Sequence, residues 1–276
     1  MAFRPVRGDP AAAVDAVTGA LREAWELAFP LRCGGCGQAG DAWCAACATA
    51  SGLPGNPAHP VPLDHDAAPL TYASGWFAGP LARGLVAYKD QERRDLARLF
   101  GPALRTSLVA AASAVSRTSS GGDQHVLVVP VPATRRARNR RGDVPLDGLV
   151  RVALRDGVEL LSTSAAGRHG HTTSAAPLPI TLVPRRLLGS AGGVLDQRRL
   201  GREERAENVE GSMHVRGIGE VGPSDWPPVV IVDDVATTGA TLAEAARALR
   251  AAGARQVVAA VVAATPARRH DPLHLP

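Results

Sequence analysis

The sequence predicts an α/β protein in which a mostly parallel sheet is flanked by helices, with a small cysteine-rich segment near the N-terminus. Segments with helical periodicity alternate with short aliphatic runs, and this alternation favours a parallel sheet. All four cysteines lie between residues 33 and 47. The aliphatic runs with the length of buried strands are Val126–Val129, Ile180–Val183, Val229–Val232 and Val257–Val262.

Composition limits the size of the core and the range of partners. The 276 residues are 45% hydrophobic, which is enough for one large domain or one medium domain with attachments. Aromatic residues make up 4%, so Val, Leu, Ile and Ala must build the core. A net charge of +5 permits contact with nucleic acid but equally suits a polyanionic substrate. Of the 31 basic residues only Lys89 is a lysine, a bias that lowers the weight of any single arginine.

The N-terminal region lacks the pattern of a secretory signal, because acidic residues interrupt every apolar run. No segment has the roughly 18 consecutive apolar residues that a membrane helix needs. These two features predict a cytoplasmic protein that does not enter a membrane.

Changes in composition along the chain predict its domain organisation. Apolar residues at helical spacing between residues 11 and 29 predict an N-terminal helix. A stretch rich in Pro, Gly, Ala and His follows the cysteines and is typical of a linker. The predicted units are an N-terminal helix (1–30), a cysteine knuckle (31–50), a linker (51–69), the main domain (70–266) and a tail (267–276).

Helical patterns fill the space between the predicted strands of the main domain. Residues 81–105 hold two such patterns, and others lie at Leu146–Leu154 and Leu242–Leu249. Gly253 follows the last of these, as glycine commonly does after a helix end. Residues 162–179 are predicted to be a flexible surface stretch.

The cysteines have the spacing of a metal site. Cys33 and Cys36 form one Cys-x-x-Cys pair, and Cys44 and Cys47 form a second pair after seven intervening residues. Two such pairs can converge on one tetrahedral Zn²⁺, and four thiolates leave no position for water, so the zinc would be structural. Disulfide bonds are the alternative, but an intracellular protein keeps its thiols reduced. The sequence therefore favours a zinc site with four cysteine ligands.

The strand that ends at Val232 is followed by residues suited to bind a sugar phosphate. Asp233 and Asp234 come directly after it, and a threonine-rich turn leads to a helix that starts near Leu242. Such a turn presents free backbone N–H groups at the positive end of a helix dipole, which suits a phosphate. The carboxylates can accept hydrogen bonds from sugar hydroxyls or hold a hydrated metal ion. The combination indicates a ribose 5-phosphate; the alternative is an ordinary strand, turn and helix with a threonine-rich cap.

This segment resembles the loop that binds phosphoribosyl pyrophosphate (PRPP) in type I phosphoribosyltransferases. The resemblance implies a type I phosphoribosyltransferase-like parallel sheet. It also implies that Asp233 and Asp234 hold the 2′- and 3′-hydroxyls of the ribose. The residues implied to hold the 5′-phosphate are Ala236, Thr237, Thr238, Gly239 and Thr241.

Further blocks resemble, in order, the ComF family, which comprises phosphoribosyltransferase-like proteins named for bacterial competence. Together with the PRPP-like loop they cover most of residues 25–265, and their order is more specific than any one block. The blocks are Leu27–Cys47, Tyr88-Lys89 before Leu96-Ala97, Pro130-Val131-Pro132 before an arginine-rich run, and Gln197-x-x-Leu200-x-x-x-Glu204-Arg205-x-x-Asn208.

The ComF resemblance implies roles for residues outside the loop. Arg140, Arg141 and Gly142 would contact pyrophosphate, because guanidinium groups bind such oxyanions bidentately; a solvated basic loop is the alternative. Residues 197–208 would form a mobile hood over PRPP, or else a helix with ordinary ion pairs. Within the hood, Arg205 would stabilise the departing pyrophosphate. Arg205 and Lys89 are the two candidate catalytic residues.

Two features depart from the ComF pattern. The family usually follows its Arg-Gly pair with an aromatic residue, whereas here Asp143 places a negative charge beside the implied pyrophosphate site. The stretch 162–179 also has no clear counterpart in the family. Both departures bear on whether the protein is a fully competent enzyme.

Two functions follow from these resemblances. In the first, the protein binds PRPP with Mg²⁺ and transfers the phosphoribosyl group to an acceptor that no motif identifies. In the second, it is a non-catalytic protein of DNA uptake that acts with a competence helicase and single-stranded DNA. The second function would use the basic loop 135–141 and the zinc knuckle. Single-strand binders usually add exposed aromatic rings, and this chain is poor in them, with Trp43 and Trp76 the best candidates, so DNA binding ranks below PRPP binding.

Overall fold

The computed structural model describes residues 31–116, 124–133, 143–155, 159–161, 179–190, 211–216 and 226–267. Several predicted features lie outside these residues. They are the N-terminal helix, the basic run 135–141, nearly all of the stretch 162–179, the hood at 197–208 and most of the tail.

The described residues form helices where the sequence predicts them in the main domain. Both patterns within 81–105 are confirmed, as are those at Leu146–Leu154 and Leu242–Leu249. A 3-10 turn at Arg94–Leu96 precedes the longest helix. The helices are α1 (Ala45–Ser51), α2 (Gly79–Asp90), α3 (Ala97–Ser116), α4 (Pro145–Ala153) and α5 (Ala240–Ala251).

The four predicted aliphatic strands are confirmed, and five shorter or less apolar strands accompany them in the described residues. The predicted runs become β3, β5, β8 and β9. The strands are β1 (His59–Val61), β2 (Thr71–Trp76), β3 (Gln124–Pro130), β4 (Glu159–Leu161), β5 (Pro179–Pro184), β6 (Leu188–Ser190), β7 (Met213–Val215), β8 (Val229–Ala236) and β9 (Val257–Ala264).

Seven of these strands form one sheet in the order β1-β2-β9-β8-β3-β5-β4. The inner five run parallel, and only the outermost strands β1 and β4 are antiparallel to their neighbours. The remaining two, β6 and β7, pair as a separate antiparallel ribbon. Because parallel strands end at the same edge, β2, β9, β8, β3 and β5 share one carboxyl edge, which is where open α/β sheets bind ligands. The predicted mostly parallel sheet flanked by helices is confirmed.

The core lies around the two central strands. All eight residues of β9 are buried, and the first four of β8, Val229–Val232, are fully buried. Strands covered on both faces read as continuous aliphatic runs, which explains why these two were visible in the sequence. Helix α3 packs on β2, β8 and β9. The buried hydroxyls between α3 and β2 are hydrogen-bonded. Ser74 Oγ donates to the Ala103 carbonyl at 2.7 Å and lies 2.8 Å from Ser107 Oγ.

One segment among the described residues, Arg94–Ser116, is long and apolar enough by length and composition to cross a membrane. Half of its most apolar window is buried inside the fold. Phe100, Leu104 and Leu108 are fully buried where α3 covers the sheet. The segment is therefore the core helix of this sheet, and its apolar character follows from that packing.

Residues 51–69, predicted to be a linker, are part of the packed body. They contain β1, which pairs with β2, and two buried side chains, Leu53 and Val61, which are 2% and 6% exposed. The backbone N–H of His65 also donates to the Thr238 carbonyl at 3.0 Å. The composition of the stretch is typical of a linker, but a few apolar residues are enough to hold it against the sheet.

Replacement of Leu53 by alanine tests this difference. We expect Leu53→Ala to lower the free energy of unfolding by about 2–5 kcal/mol, because it opens a cavity at a buried site. The matched control is Leu70→Ala, at a side chain that is 52% exposed; it should change stability by less than about 0.5 kcal/mol. Chemical denaturation measures both. Equal, small effects of the two substitutions would mean that residues 51–69 are a linker after all.

Candidate functional site

Asp233 and Asp234 lie on β8 where it reaches the carboxyl edge of the sheet. Successive residues of a strand point to opposite faces, so the two carboxylates leave the strand in different directions. Asp234 is buried, with 4% exposure, and Asp233 is half-buried. Each carboxylate accepts a hydrogen bond from the next backbone N–H, from Asp234 at 2.8 Å and from Val235 at 2.9 Å. These bonds hold both side chains in place at the strand end.

Lys89 meets this acidic pair from α2. Its Nζ donates to Asp234 Oδ1 at 3.0 Å, across 145 residues of sequence. The Asp234 side chain is 6% exposed, whereas the Lys89 side chain is 43% exposed. A buried carboxylate beside one cation is far more stable charged than it would be alone. The single lysine of the chain therefore lies at the predicted site.

The pKa of Asp233 reflects its surroundings. Burial, and then the charge of Asp234, raise the pKa of Asp233 to about 8, while Lys89 acts in the opposite direction. Two adjacent carboxylates that share one lysine carry an excess of negative charge at pH 7 if both are ionised. The site is thus suited to a ligand that brings either hydroxyl donors or positive charge to Asp233.

The turn from β8 to α5 has a shape that favours glycine. Gly239 has φ +90°, in the left-handed region. A Cβ atom there would also lie 3.0 Å from a methyl group of Leu63 and 3.1 Å from the Cβ of Ala68. Residues of the stretch 51–69 therefore support the turn from behind, and the hydrogen bond from His65 to Thr238 adds to this support.

The turn leaves backbone donors without protein acceptors. Gly239 provides no side-chain cap for α5. Within the described part of the chain, the backbone N–H groups of Thr237, Thr238, Gly239 and Thr241 donate to no protein oxygen. The Ala240 N–H makes one long bond of 3.3 Å to Thr238 Oγ1. Unpaired N–H groups at the positive end of a helix dipole form a site for an anion.

The structure brings some of the predicted site residues together and leaves others undescribed. The acids, Lys89 and the threonine-rich turn all lie at the carboxyl edge of β8. Arg140, Arg141, Gly142 and Arg205 lie outside the described residues. The loop that contains the first three leaves the sheet after β3, the neighbour of β8, so it starts at the same edge.

Sequence reasoning missed Arg94. This arginine forms an ion pair with Asp143, the acidic residue at which the sequence departs from the ComF pattern. Its guanidinium group donates to both carboxylate oxygens of Asp143, at 2.7 and 2.9 Å, so the negative charge of Asp143 is offset. It also lies over the Tyr88 ring, 5.2 Å from the centroid, and donates to the Tyr88 carbonyl. Because Tyr88 precedes Lys89, the same arginine links the end of the arginine-rich loop to the lysine. Nothing in the sequence identifies this pairing.

The four cysteines converge near the N-terminal end of the described chain. Their Sγ atoms all lie within 4.8 Å of one another, and those of Cys36 and Cys44 are 3.6 Å apart. Sulfur ligands at about 2.3 Å from a tetrahedral zinc are about 3.8 Å apart, so the cluster has the right size. All four are free thiols, and 3.6 Å is far too long for a disulfide. The cluster could hold a zinc ion, as predicted.

The surroundings of the cluster fit metal-bound thiolates. Burial raises the pKa of Cys33, but backbone N–H donors from Cys44, Cys36 and Gly35 outweigh it and lower the pKa to about 6. Burial, and then the neighbouring thiols, raise the pKa of Cys47 well above its usual value. Added carbon at Gly35 would lie 2.7 Å from Cys47 Sγ, so the knuckle has no room for a side chain there. Four thiolates in this space would need a cation, and zinc could supply the charge.

The cysteine knuckle is docked on the main domain. Arg83 of α2 donates from its Nε to the Gly35 carbonyl, and a Cβ at Gly34 would lie 2.6 Å from a methyl group of Leu96. The Trp43 ring meets the Phe100 ring edge to face, with centroids 6.0 Å apart. The knuckle therefore rests on α2 and α3, and α2 also carries Lys89.

One comparison with known families identifies the loop segment. Residues 227–276 match the model of the phosphoribosyl transferase domain. The matched segment contains both acids and the whole of the threonine-rich turn. No curated protein matches the chain. Together with the sheet and the cysteine cluster, this confirms the predicted fold class and supports a phosphoribosyltransferase-like protein in general terms; the narrower ComF resemblance stays a prediction.

Metal content tests the cysteine cluster. We expect the purified protein to carry a single zinc ion, and Cys36→Ala to lose it, with the loss of on the order of 10 kcal/mol of metal-linked folding free energy from the knuckle. The matched control is Cys36→His, which replaces the cysteine with another zinc ligand and should therefore retain the metal. Atomic emission spectroscopy measures the content. A wild-type protein that is folded under reducing conditions without any metal would contradict the zinc site.

Proposed function

We propose that this protein binds PRPP, with the 5′-phosphate on the turn 236–241 and the ribose hydroxyls on Asp233 and Asp234. One observation carries the proposal. An acidic pair at the end of a buried strand is followed, within a few residues, by a turn whose N–H groups have no protein acceptor among the described residues. Sugar hydroxyls are donors and phosphate oxygens are acceptors, so a sugar phosphate satisfies both halves of the site.

The phosphate half of the site is built from the main chain. The N–H groups of Thr237, Thr238, Gly239 and Thr241 would donate to the phosphate oxygens, and the threonine hydroxyls would add further donors. The dipole of α5, a helix of 12 residues, places roughly half a positive charge at the same point. Gly239 is required because a side chain would both strain the turn and collide with Leu63.

The ribose half of the site depends on Lys89. Its ion pair orients the buried Asp234 carboxylate and offsets its negative charge. Asp233 is the more accessible acid and would accept from the second hydroxyl. We therefore propose that Lys89 positions Asp234. In this proposal Lys89 acts through Asp234 and is not itself the catalytic residue that the sequence had predicted.

The pyrophosphate half of the substrate would face the arginine-rich loop that follows β3. We propose that Arg140, Arg141 and Gly142 contact it, as the resemblance implies. The Arg94–Asp143 ion pair supports this assignment, because it anchors the end of the loop and offsets the acidic charge beside it. Arg205, from the segment that connects β6 to β7, would stabilise the pyrophosphate as it departs.

Mg²⁺ is the cation that the donor set favours. Carboxylate oxygens are the hard ligands that Mg²⁺ prefers, and a cation beside Asp233 would counteract the burial and the Asp234 charge that raise its pKa. When bound with PRPP, the ion would neutralise charge on the pyrophosphate. Asp233 and Asp234 would bind the ribose hydroxyls and so fix the position of the ribose relative to that ion.

The proposed reaction is transfer of the phosphoribosyl group. The bond between C1 of the ribose and the pyrophosphate oxygen breaks, and pyrophosphate leaves with the bonding electrons. A nucleophilic acceptor bonds to C1 and releases its proton. The chain supplies position and positive charge and needs no nucleophile of its own. No residue of the chain identifies the acceptor. The competence helicase and single-stranded DNA stay predicted partners. The cytoplasmic location and the domain boundaries also stay predictions.

Calorimetry with PRPP and MgCl₂ tests the proposal. We expect saturable binding by the wild type and a loss of about tenfold or more in Asp233→Asn/Asp234→Asn, since each charge-assisted hydrogen bond contributes about 1.5–3 kcal/mol. The matched control is Asp41→Asn/Glu92→Gln, which removes two exposed carboxylates elsewhere and should bind as the wild type does. Circular dichroism confirms that each variant is folded. Equal binding by the acid-pair variant and the wild type, or none by a folded wild type, would contradict the proposal.

A further inference from the structure

A cavity opens at the carboxyl edge of the sheet, on the other side of β3 from the acidic pair. Its volume is about 580 Å³, within the range of roughly 300–1000 Å³ that holds small-molecule ligands. It lies between the ends of β3 and β5 and the C-terminal half of α4. Four arginines from these elements line it: Arg151, Arg155, Arg185 and Arg186.

The positive charge of this cavity is largely uncompensated. Asp147 is the one acidic residue of the lining, and it already accepts from Arg186 at 2.6 Å. Among the residues that the structure describes, Arg151, Arg155 and Arg185 pair with no carboxylate; the guanidinium group of Arg185 donates only to the adjacent Pro184 carbonyl, at 3.1 Å. The last carbonyls of α4 contribute roughly half a negative charge, too little to balance three guanidinium groups. Such crowding of like charge indicates an anionic ligand.

The floor of the cavity is apolar. Val150, which is 6% exposed, and the half-buried Leu154 contribute from α4 and its C-terminal end, and the rings of Pro130 and Pro184 contribute from the strand ends. A site for a bare inorganic anion needs no apolar floor. The lining instead matches a ligand with one anionic group and one apolar or aromatic group, as ligand pockets usually combine apolar walls with a few polar groups.

This cavity is separate from the proposed PRPP site. Strand β3 lies between β8 and β5, so the strand ends of β8 and β5 are about 10 Å apart at the usual strand spacing. None of the lining residues belongs to the acidic pair or to the turn 236–241. A ligand can therefore occupy either site without the other.

We propose that the four-arginine cavity binds a phosphomonoester that carries an apolar or aromatic group. The guanidinium groups pair with the phosphate dianion, bidentately where the geometry allows, and the ester group lies on the floor of Val150, Leu154 and the two prolines. The proposal does not depend on PRPP binding at the acidic pair.

Calorimetry with phenyl phosphate, inorganic phosphate and phenol, each without metal, tests the proposal on the full chain. We expect phenyl phosphate to bind most tightly, because only it uses both the arginines and the floor. Arg151→Ala/Arg155→Ala should weaken phenyl phosphate binding about tenfold or more. The matched control Arg250→Ala/Arg255→Ala removes the same charge from two exposed arginines outside the cavity and should leave binding unchanged.

A variant of the phosphate turn separates this proposal from the PRPP site. Gly239→Val, which disrupts the turn that would hold the 5′-phosphate, should bind phenyl phosphate as the wild type does, provided that circular dichroism shows it folded, even though it is expected to lose PRPP. Equal weakening in both arginine variants would reduce the effect to overall charge and overturn the proposal. Absence of saturable binding to the folded wild type would do the same. Displacement of phenyl phosphate by a thymidylate oligonucleotide at far lower concentration would overturn it too, by assigning the cavity to a nucleic-acid strand.

Discussion

Asp233 and Asp234 lie near the carboxyl end of β8, whose first four residues are fully buried, and this placement constrains the surrounding structure. The low dielectric of the sheet makes two neighbouring carboxylates costly, so the fold must supply a cation and hydrogen-bond donors close by. Lys89 and two backbone N–H groups do so. Asp233 still has a raised pKa, and it lies beside a turn whose N–H groups are unpaired among the described residues. This arrangement is costly for the free protein and would be favourable for binding a sugar phosphate.

Helix α2 connects the cysteine knuckle to this site. Arg83 of α2 holds the knuckle through the Gly35 carbonyl, and Lys89, near the other end of the helix, holds Asp234. The side chain of Leu96, just before α3, packs against Gly34. A metal in the knuckle would therefore stabilise the surface on which α2 rests. The cysteine knuckle and the ligand site are parts of one packed structure, although they are separate in the sequence.

The sequence predicted what depends on neighbouring residues. The buried strands, the acidic pair, the threonine-rich turn and the cysteine spacing are all local patterns, and they lie close to where they were expected, although β8 continues past Val232 through the acidic pair to Ala236. Contacts between distant residues could not be predicted. The ion pair of Lys89 with Asp234 spans 145 residues, and that of Arg94 with Asp143 spans 49. The packing of the stretch 51–69 could not be predicted for the same reason, because its place in the fold depends on β2 and on the turn at Thr238.

A crystal structure of the protein with ribose 5-phosphate and Mg²⁺ would show whether the turn and the acidic pair bind a sugar phosphate. We expect phosphate oxygens about 3 Å from the backbone nitrogens of residues 237–241, with the 2′- and 3′-hydroxyls donating to Asp233 and Asp234. Lys89 should remain paired with Asp234. A sugar phosphate bound only in the four-arginine cavity would contradict this assignment of the site. A turn 237–241 that binds no phosphate at saturating ligand would contradict it as well.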